Sequence, residues 1–319
     1  MERLEGKLRD LDRMVQEVKW LRSTEIDVEK WDQCVRSDSS KIPYVLHWYL
    51  DLVAPTWDAL VLNDYEVVMP LPYSVKMGIH YLYRPIGSQQ LGLFGRGDLQ
   101  SLLPEFIHAI PKKFWLVDYY LNEQTQAIGN NSFKWEKQIN QCLSLKPSYE
   151  RLYAAYNAQT RRNVQKSKKH KLRLFEYDGP DVLLTLFKAN KGANLQLSEK
   201  YYTQMRRIFF SLMHKKRGFV WTVHDEHNSA CAGVFLFQNR DRLILLFTAT
   251  DATARENAAL SFLLDELIIR YSGGNYLLDF EGSNIPGLAR FNAGFGAEER
   301  PYYRIRKAGF PLNLHPKYR

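Results

Sequence analysis

Apolar residues recur along the chain at two spacings, and each switch between them marks a new element. "VEKWDQCVRS" and "IPYVLHWYLDLVA" carry the three-to-four spacing of helices. "WDALVLND" and "YEVVMPLPYSVKMGIHYLYRP" read as strands, with Asn63-Asp64 placed for a tight hairpin. After the glycine-rich loop "GSQQLGLFGRGD", "LQSLLPEFIHAI" predicts a helix interrupted near Pro104. "KKFWLVDYYLN" and "FKWEKQINQCLSL" follow as strands around the polar loop "EQTQAIGNNS". The first stretch, "MERLEGKLRDLDRMVQEVKWL", predicts a charged amphipathic helix with no apolar core of a secretory signal.

The second half opens on a long predicted helix, "YERLYAAYNAQTRRNVQKSKKH", and the strand "KLRLFEYD". Gly179-Pro180 starts a helix through "DVLLTLFKANK", and Ser198 is placed to cap another over "SEKYYTQMRRIFFSLMHKK". "GFVWTVHD", "ACAGVFLFQN" and "RLILLFTATD" form a meander with short polar turns. "ARENAALSFLLDELIIRY" puts Leu260, Leu263, Leu264, Leu267, Ile268 and Tyr271 on one helical face. Gly273-Gly274 ends it, and "NYLLDFEG", a short helix and "RPYYRIR" complete the order. The first half repeats much of this order without visible sequence identity. The fold class expected is mixed α/β, with two tandem domains over 1–147 and 148–319.

Composition changes the picture in one respect. The chain has 319 residues and a net charge of +9, unevenly placed. Residues 151–173 hold eight Lys or Arg and no acid, and residues 300–319 hold six and no acid. Those fourteen charges leave the rest of the chain at −5. Two basic segments suit a phosphate-bearing partner, and equally a solvated helix face with a basic tail. The three scattered cysteines suggest neither a disulfide framework nor a zinc site. No apolar run approaches the ~20 residues that span a bilayer, so membrane insertion is not expected and a cytoplasmic location is.

Two stretches carry a family resemblance. "QTRRNVQKSKKHKLRLF", Gln159 to Phe175, resembles the Arg-rich helix and following strand of tandem-domain Fem-like acyltransferases. "GLARFNAGFGAE" resembles the Phe-x-x-Gly-Phe-Gly signature of the same family. The element order from Lys171 to Arg306 is similar to the GCN5-related N-acetyltransferase fold. This resemblance implies that "RLILLFTAT" and "NYLLDFEG" part to admit an acyl donor. It implies a coenzyme A thioester at Thr250, Arg255, Asn257, Ala258 and Ala259, although Ala and Leu replace small residues of the usual phosphate loop. An acid-rich helix start explains the same stretch through Asp251 and Glu256.

On a strand, Asp279 and Glu281 alternate with Leu278 and Phe280 and so share a face. Glu281, nearer the strand's end, is the candidate proton acceptor for an amine, with Tyr302 or Tyr303 as proton donors to the leaving group. Packing is the ordinary role for either tyrosine. Asp279, Ser283, Asn284 and Phe291 are candidates to line the acceptor site, and a capped structural corner explains the first three equally well. The resemblance points Arg161 and Arg162 at the phosphates of a nucleotide-linked acceptor, with Tyr202 and Arg206 in the same groove. The readings that stand are three: a coenzyme A-dependent N-acyltransferase on an amine acceptor, a Fem-like peptidyltransferase using aminoacyl-tRNA on a cell-wall precursor, and a non-catalytic binder. No metal is expected. His224-Asp225-Glu226-His227 reads as a solvated turn, and Gly92 to Gly97 lacks the Lys-Ser/Thr of a nucleotide loop.

Overall fold

The computed structural model describes residues 17–129, 132–176 and 178–307. Among them, the first half of the chain gives β1 (Val18–Arg22), α1 (Val28–Ser37), α2 (His47–Val53), β2 (Trp57–Leu62), β3 (Val67–Lys76) and β4 (Ile79–Leu82). It continues with β5 (Phe94–Gly95), α3 (Leu99–Ala109), β6 (Phe114–Tyr120) and β7 (Lys134–Ser144). Then come α4 (Tyr149–Ala155), α5 (Ala158–Ser167), β8 (Arg173–Phe175), α6 (Pro180–Phe187), α7 (Glu199–His214) and β9 (Gly218–His224). The chain ends through β10 (Ala230–Asn239), β11 (Arg242–Thr250), α8 (Thr253–Glu256), α9 (Ala259–Tyr271), β12 (Leu277–Asp279), α10 (Pro286–Ala293) and β13 (Glu298–Lys307).

The strands join in one mixed sheet of 13, ordered β1-β2-β3-β4-β6-β13-β7-β12-β11-β10-β9-β8, with β5 beside β3. The two separate tandem acyltransferase-like sheets expected from the sequence are therefore corrected to a single continuous one. Its joining strands, β7 and β13, are 11 and 10 residues long, about twice the usual strand. Among the described residues, one compact unit takes 17–85, 90–136 and 303–307; the other takes Ile86–Gln89 and Lys137–Tyr302.

Local chemistry explains where the elements start and stop. Asp27, Asp98, Asn157 and Ser198 each accept a backbone amide of the helix they precede. Pro104 sits inside α3 without ending it, contrary to the expected interruption. The first stretch is not helical where it is described: Val18–Arg22 pair with β2, and residues 1–16 lie outside the described residues. The long helix expected from Tyr149 breaks into α4 and α5, because Asn157 turns extended and accepts the Thr160 amide at 2.8 Å. Asn favours that local bond over a helix interior. The helix expected from Ala254 breaks likewise at Ala258, which is left-handed at φ 58°.

In the second unit α9 covers one face of β9–β11 and packs against α5, while α6 lies on β10 and β11 with α7 beside it. Leu263, Leu267, Ile268, Leu243 and Val234 are fully buried on the α9 side. On the other side Phe209 stacks on Phe235 and meets Phe247 edge-on. Losing one such side chain to Ala costs about 2–5 kcal/mol, so these layers hold the sheet against distortion.

Candidate functional site

Two neighbouring parallel strands of the second unit part company. β11 and β12 pair only over Arg242–Leu277, Leu243–Leu278 and Ile244–Asp279. β11 runs on to Thr250, paired with β10 alone, while Phe280 bonds instead to the Gln141 carbonyl of β7 at 3.0 Å. Where the parting begins, β11 carries an extra residue: Leu236 faces Leu245, but Phe235 faces Phe247. The bulge resets the alternation, sending Leu245 to the α9 core and Phe247 to Phe187 and Phe209. Beyond Ile244, β11 has no strand pairing on the β12 side.

The root of the opening is locked by a buried ion pair. Arg242 donates to Asp279 Oδ2 from Nη2 at 2.6 Å and from Nε at 2.9 Å, and each side chain is 1% exposed. Asn140 donates to Asp279 Oδ1 at 2.9 Å, as does the Glu281 amide at 3.1 Å. Cys142 lies beside Arg242 and Asn140 at 3.9 and 3.7 Å, and Gln89 reaches Asn140 at 3.4 Å. Sequence reasoning missed Arg242. Its signal was a lone cation opening the otherwise apolar run "RLILLFTAT".

Asp279 is thus engaged inward, where the sequence placed it on a shared face with Glu281. The strand stops at Asp279, and Glu281 and Gly282 are left-handed at φ 47° and 59°. Glu281 stands partly exposed, two residues past the end of β12, where β11 runs on alone. Ser283 is buried, bonds to the Glu281 carbonyl and accepts from Asn292. Asn284 accepts the Ile139 amide at 2.9 Å and donates to the Tyr302 hydroxyl at 3.2 Å. Tyr302 is fully buried on that bond. Tyr303 contacts the Trp135 ring, with its hydroxyl 3.5 Å from Gln126. Phe291 packs edge-on to Phe295.

The loop after β11 serves its own amides. Asp251 Oδ1 accepts the Ala254 amide at 2.8 Å, and Asn257 Oδ1 accepts the Ala259 amide at 2.9 Å. The Arg255 and Asn257 amides bond to the carbonyls of Ala252 and Thr253. Ala258 and Ala259 are buried, while the Arg255 and Glu256 side chains are exposed. A pyrophosphate needs free amides and no carboxylate beside it. Asp251, on the Ala254 amide, puts a carboxylate at the start of this helix, which disfavours a pyrophosphate there.

The basic helix presents an open face. Arg161, Arg162, Lys166 and Lys169 are exposed and line a surface recess of about 770 Å³ with Tyr153, Gln159 and Gln165. Arg162 is bonded to Gln159 at 2.8 Å, and Arg161 to the Ala154 carbonyl at 3.3 Å. Beneath them Asp265 accepts from the hydroxyls of Tyr149 and Tyr156 at 3.0 and 3.1 Å. Burial raises the Asp265 carboxyl above the usual range, against those two hydrogen bonds. Tyr202 is nearly buried under Lys188, and Arg206 pairs with Asp181 at 2.7 Å.

The two motifs that carried the family resemblance meet here. The Asn157 amide bonds to the Gly294 carbonyl at 2.9 Å, and the Tyr156 ring lies edge-on to Phe295 at 5.1 Å. A methyl on Gly294 would run into Thr160 Oγ1. The signature's first glycine therefore seats the N-terminus of the arginine helix.

Thiol chemistry is disfavoured. All three cysteines are buried, and burial pushes Cys34 up to about 12 and Cys231 up to about 11. Among the described residues no three His, Cys, Asp or Glu are grouped to hold a metal ion, and no helix is long and apolar enough to cross a membrane.

No family model matches the sequence, and no curated protein matches it. Solved structures match in fold. FemX is similar over 89% of this chain and 96% of its own, at 10% identity and a TM-score of 0.57. A conserved protein from Bacteroides thetaiotaomicron VPI-5482 covers 92% and 100%, at 12% identity and 0.55. The C-terminal domain (DUF2156) of a putative lysylphosphatidylglycerol synthetase from Agrobacterium fabrum covers 90% and 93%, at 12% identity and 0.50. Likeness at such identity concerns the fold. These three neighbours share the fold of this chain.

Proposed function

We propose that the chain transfers an acyl group to an amine in the opening between β11 and β12, and that the donor is an aminoacyl-tRNA. The observation that carries the reading is the parting of the two strands after Ile244 and Asp279, the feature that entry of an activated carboxyl group requires. Coenzyme A is the weaker donor, because Asp251 and Asn257 each already accept one amide of the loop that would grip its pyrophosphate. An aminoacyl ester makes no such demand. It needs a phosphate-binding surface elsewhere, and the acid-free face of Arg161, Arg162, Lys166 and Lys169 supplies one.

The reaction balances without further reactants. The amine nitrogen attacks the ester carbonyl carbon, the bond to the ribose oxygen breaks, and an amide forms. Glu281 takes the proton lost by the amine and passes it to the departing ribose oxygen, so the carboxylate is regenerated.

Calorimetry against bulk aminoacyl-tRNA and against acetyl-coenzyme A tests the choice of donor. The expected result is salt-sensitive tRNA binding, weakened by Arg161→Ala with Arg162→Ala, and no heat with the thioester. Tight binding of acetyl-coenzyme A overturns it, and silence from both donors leaves the non-catalytic reading.

A further inference from the structure

The hairpin of β3 and β4 closes on a two-residue turn, Met77 and Gly78, between the paired residues Lys76 and Ile79. Both turn residues are left-handed, at φ 51° and 76°, the geometry that favours Asn-Gly or Asp-Gly. A methionine is disfavoured there by its backbone, and at 88% exposure it gains nothing from burial. The same neighbourhood exposes Val75 at 49%, Trp115 at 59% and Trp20 at 39%.

These residues form one connected surface. Val75 pairs across the hairpin with His80, and His80 pairs with Phe114 of β6. Trp115 is the extra residue where that register shifts. Tyr73 contacts His80 and Phe114, and Lys113 lies over the rings of Trp20, Tyr73 and Phe114 at 4.2, 5.1 and 4.9 Å. The segments 70–83 and 109–117 contain no acid, while Lys76, Lys112 and Lys113 all belong to them. The nearby Asp58 is already taken by Lys113 at 2.8 Å and by the Trp20 indole at 3.1 Å.

We propose that this hairpin tip docks on an anionic lipid surface, with Met77, Val75 and Trp115 entering the headgroup boundary and Lys76 and Lys112 facing lipid phosphates. Exposed aliphatic and indole groups with lysines beside them in the sequence match such an interface in charge and polarity. The observations favour lipid over single-stranded RNA. The feature protrudes where an RNA path would be a groove, its most exposed member, Met77, is not aromatic, and the Trp20 face is covered by Lys113. Proposed here is contact with one leaflet, without a spanning segment.

The test is flotation of the full chain with vesicles of phosphatidylcholine alone or mixed equally with phosphatidylglycerol. Binding to the mixed vesicles is expected, with a blue shift of tryptophan fluorescence that Trp115→Ser reduces. Met77→Asn suits the turn better, so its thermal midpoint should hold or rise while vesicle affinity falls. Lys76→Gln and Lys112→Gln should each weaken binding about fivefold, from about 1 kcal/mol per surface cation. Vesicle binding unaffected by Met77→Asn together with Trp115→Ser, or no flotation at all, overturns the proposal. So does a dimer, or binding to bulk RNA, that these same substitutions abolish in place of vesicle binding.

Discussion

Arg242 and Asp279 face each other across the only stretch over which β11 and β12 remain paired, joined at 2.6 Å in a site almost sealed from water. The pair sets where the strands can begin to separate. Asp279→Ala strands a buried guanidinium and should cost about 3–5 kcal/mol in urea unfolding. Replacing both partners, Arg242→Met with Asp279→Leu, should recover most of that loss. A double variant as unstable as the single one would mean that Asn140 and the Glu281 amide are the groups that need the carboxylate.

Gly294 predicts a second effect. Gly294→Val presses on Thr160 and on the cap of α5, and overpacking of this kind costs about 1–3 kcal/mol. Thermal denaturation should show the loss, and adding Thr160→Ala should restore part of it.

Arg161 and Arg162 predict a change in salt dependence. If the recess beside them takes nucleic-acid phosphates, each arginine removed lowers the slope of log affinity against log salt by about one. Filter binding with bulk tRNA at several potassium chloride concentrations measures it. An unchanged slope would remove α5 from the binding surface.

Asp178 predicts a response to acid. Burial raises its carboxyl, but bonds from Thr222 and His224 and the charge of His224 outweigh that and hold it below the usual carboxylate range. A depressed folded-state value means that the unfolded chain binds the proton more tightly. The stability Asp178 contributes is therefore present above the unfolded value of about 3.9 and lost as pH falls through the lower folded value. Asp178→Asn should be less stable than the parent at neutral pH, with the gap closing below about pH 4. A constant gap would show that the hydrogen bonds matter and the charge does not.

The sequence made the regular elements readable because their signals are local. The β9–β11 meander, the Ser198 cap and the apolar face of α9 each follow from spacing within a few residues. What stayed hidden depends on distant partners. Asn157 and Ala258 break helices through bonds that a periodicity count does not see, and β12 stops at Asp279 because two left-handed residues follow within three positions. One sheet looked like two because spacing along the chain does not show which strands lie side by side. Nothing in "RLILLFTAT" itself marks Arg242 as buried, and only its partner across 37 residues shows it.

The contact of Gly294 with Thr160 has an evolutionary consequence. Two segments more than a hundred residues apart share one small volume, so neither can change size by itself. Lineages descended from this chain should trade bulk between the two positions, gaining a methyl at one only where the other has already shrunk.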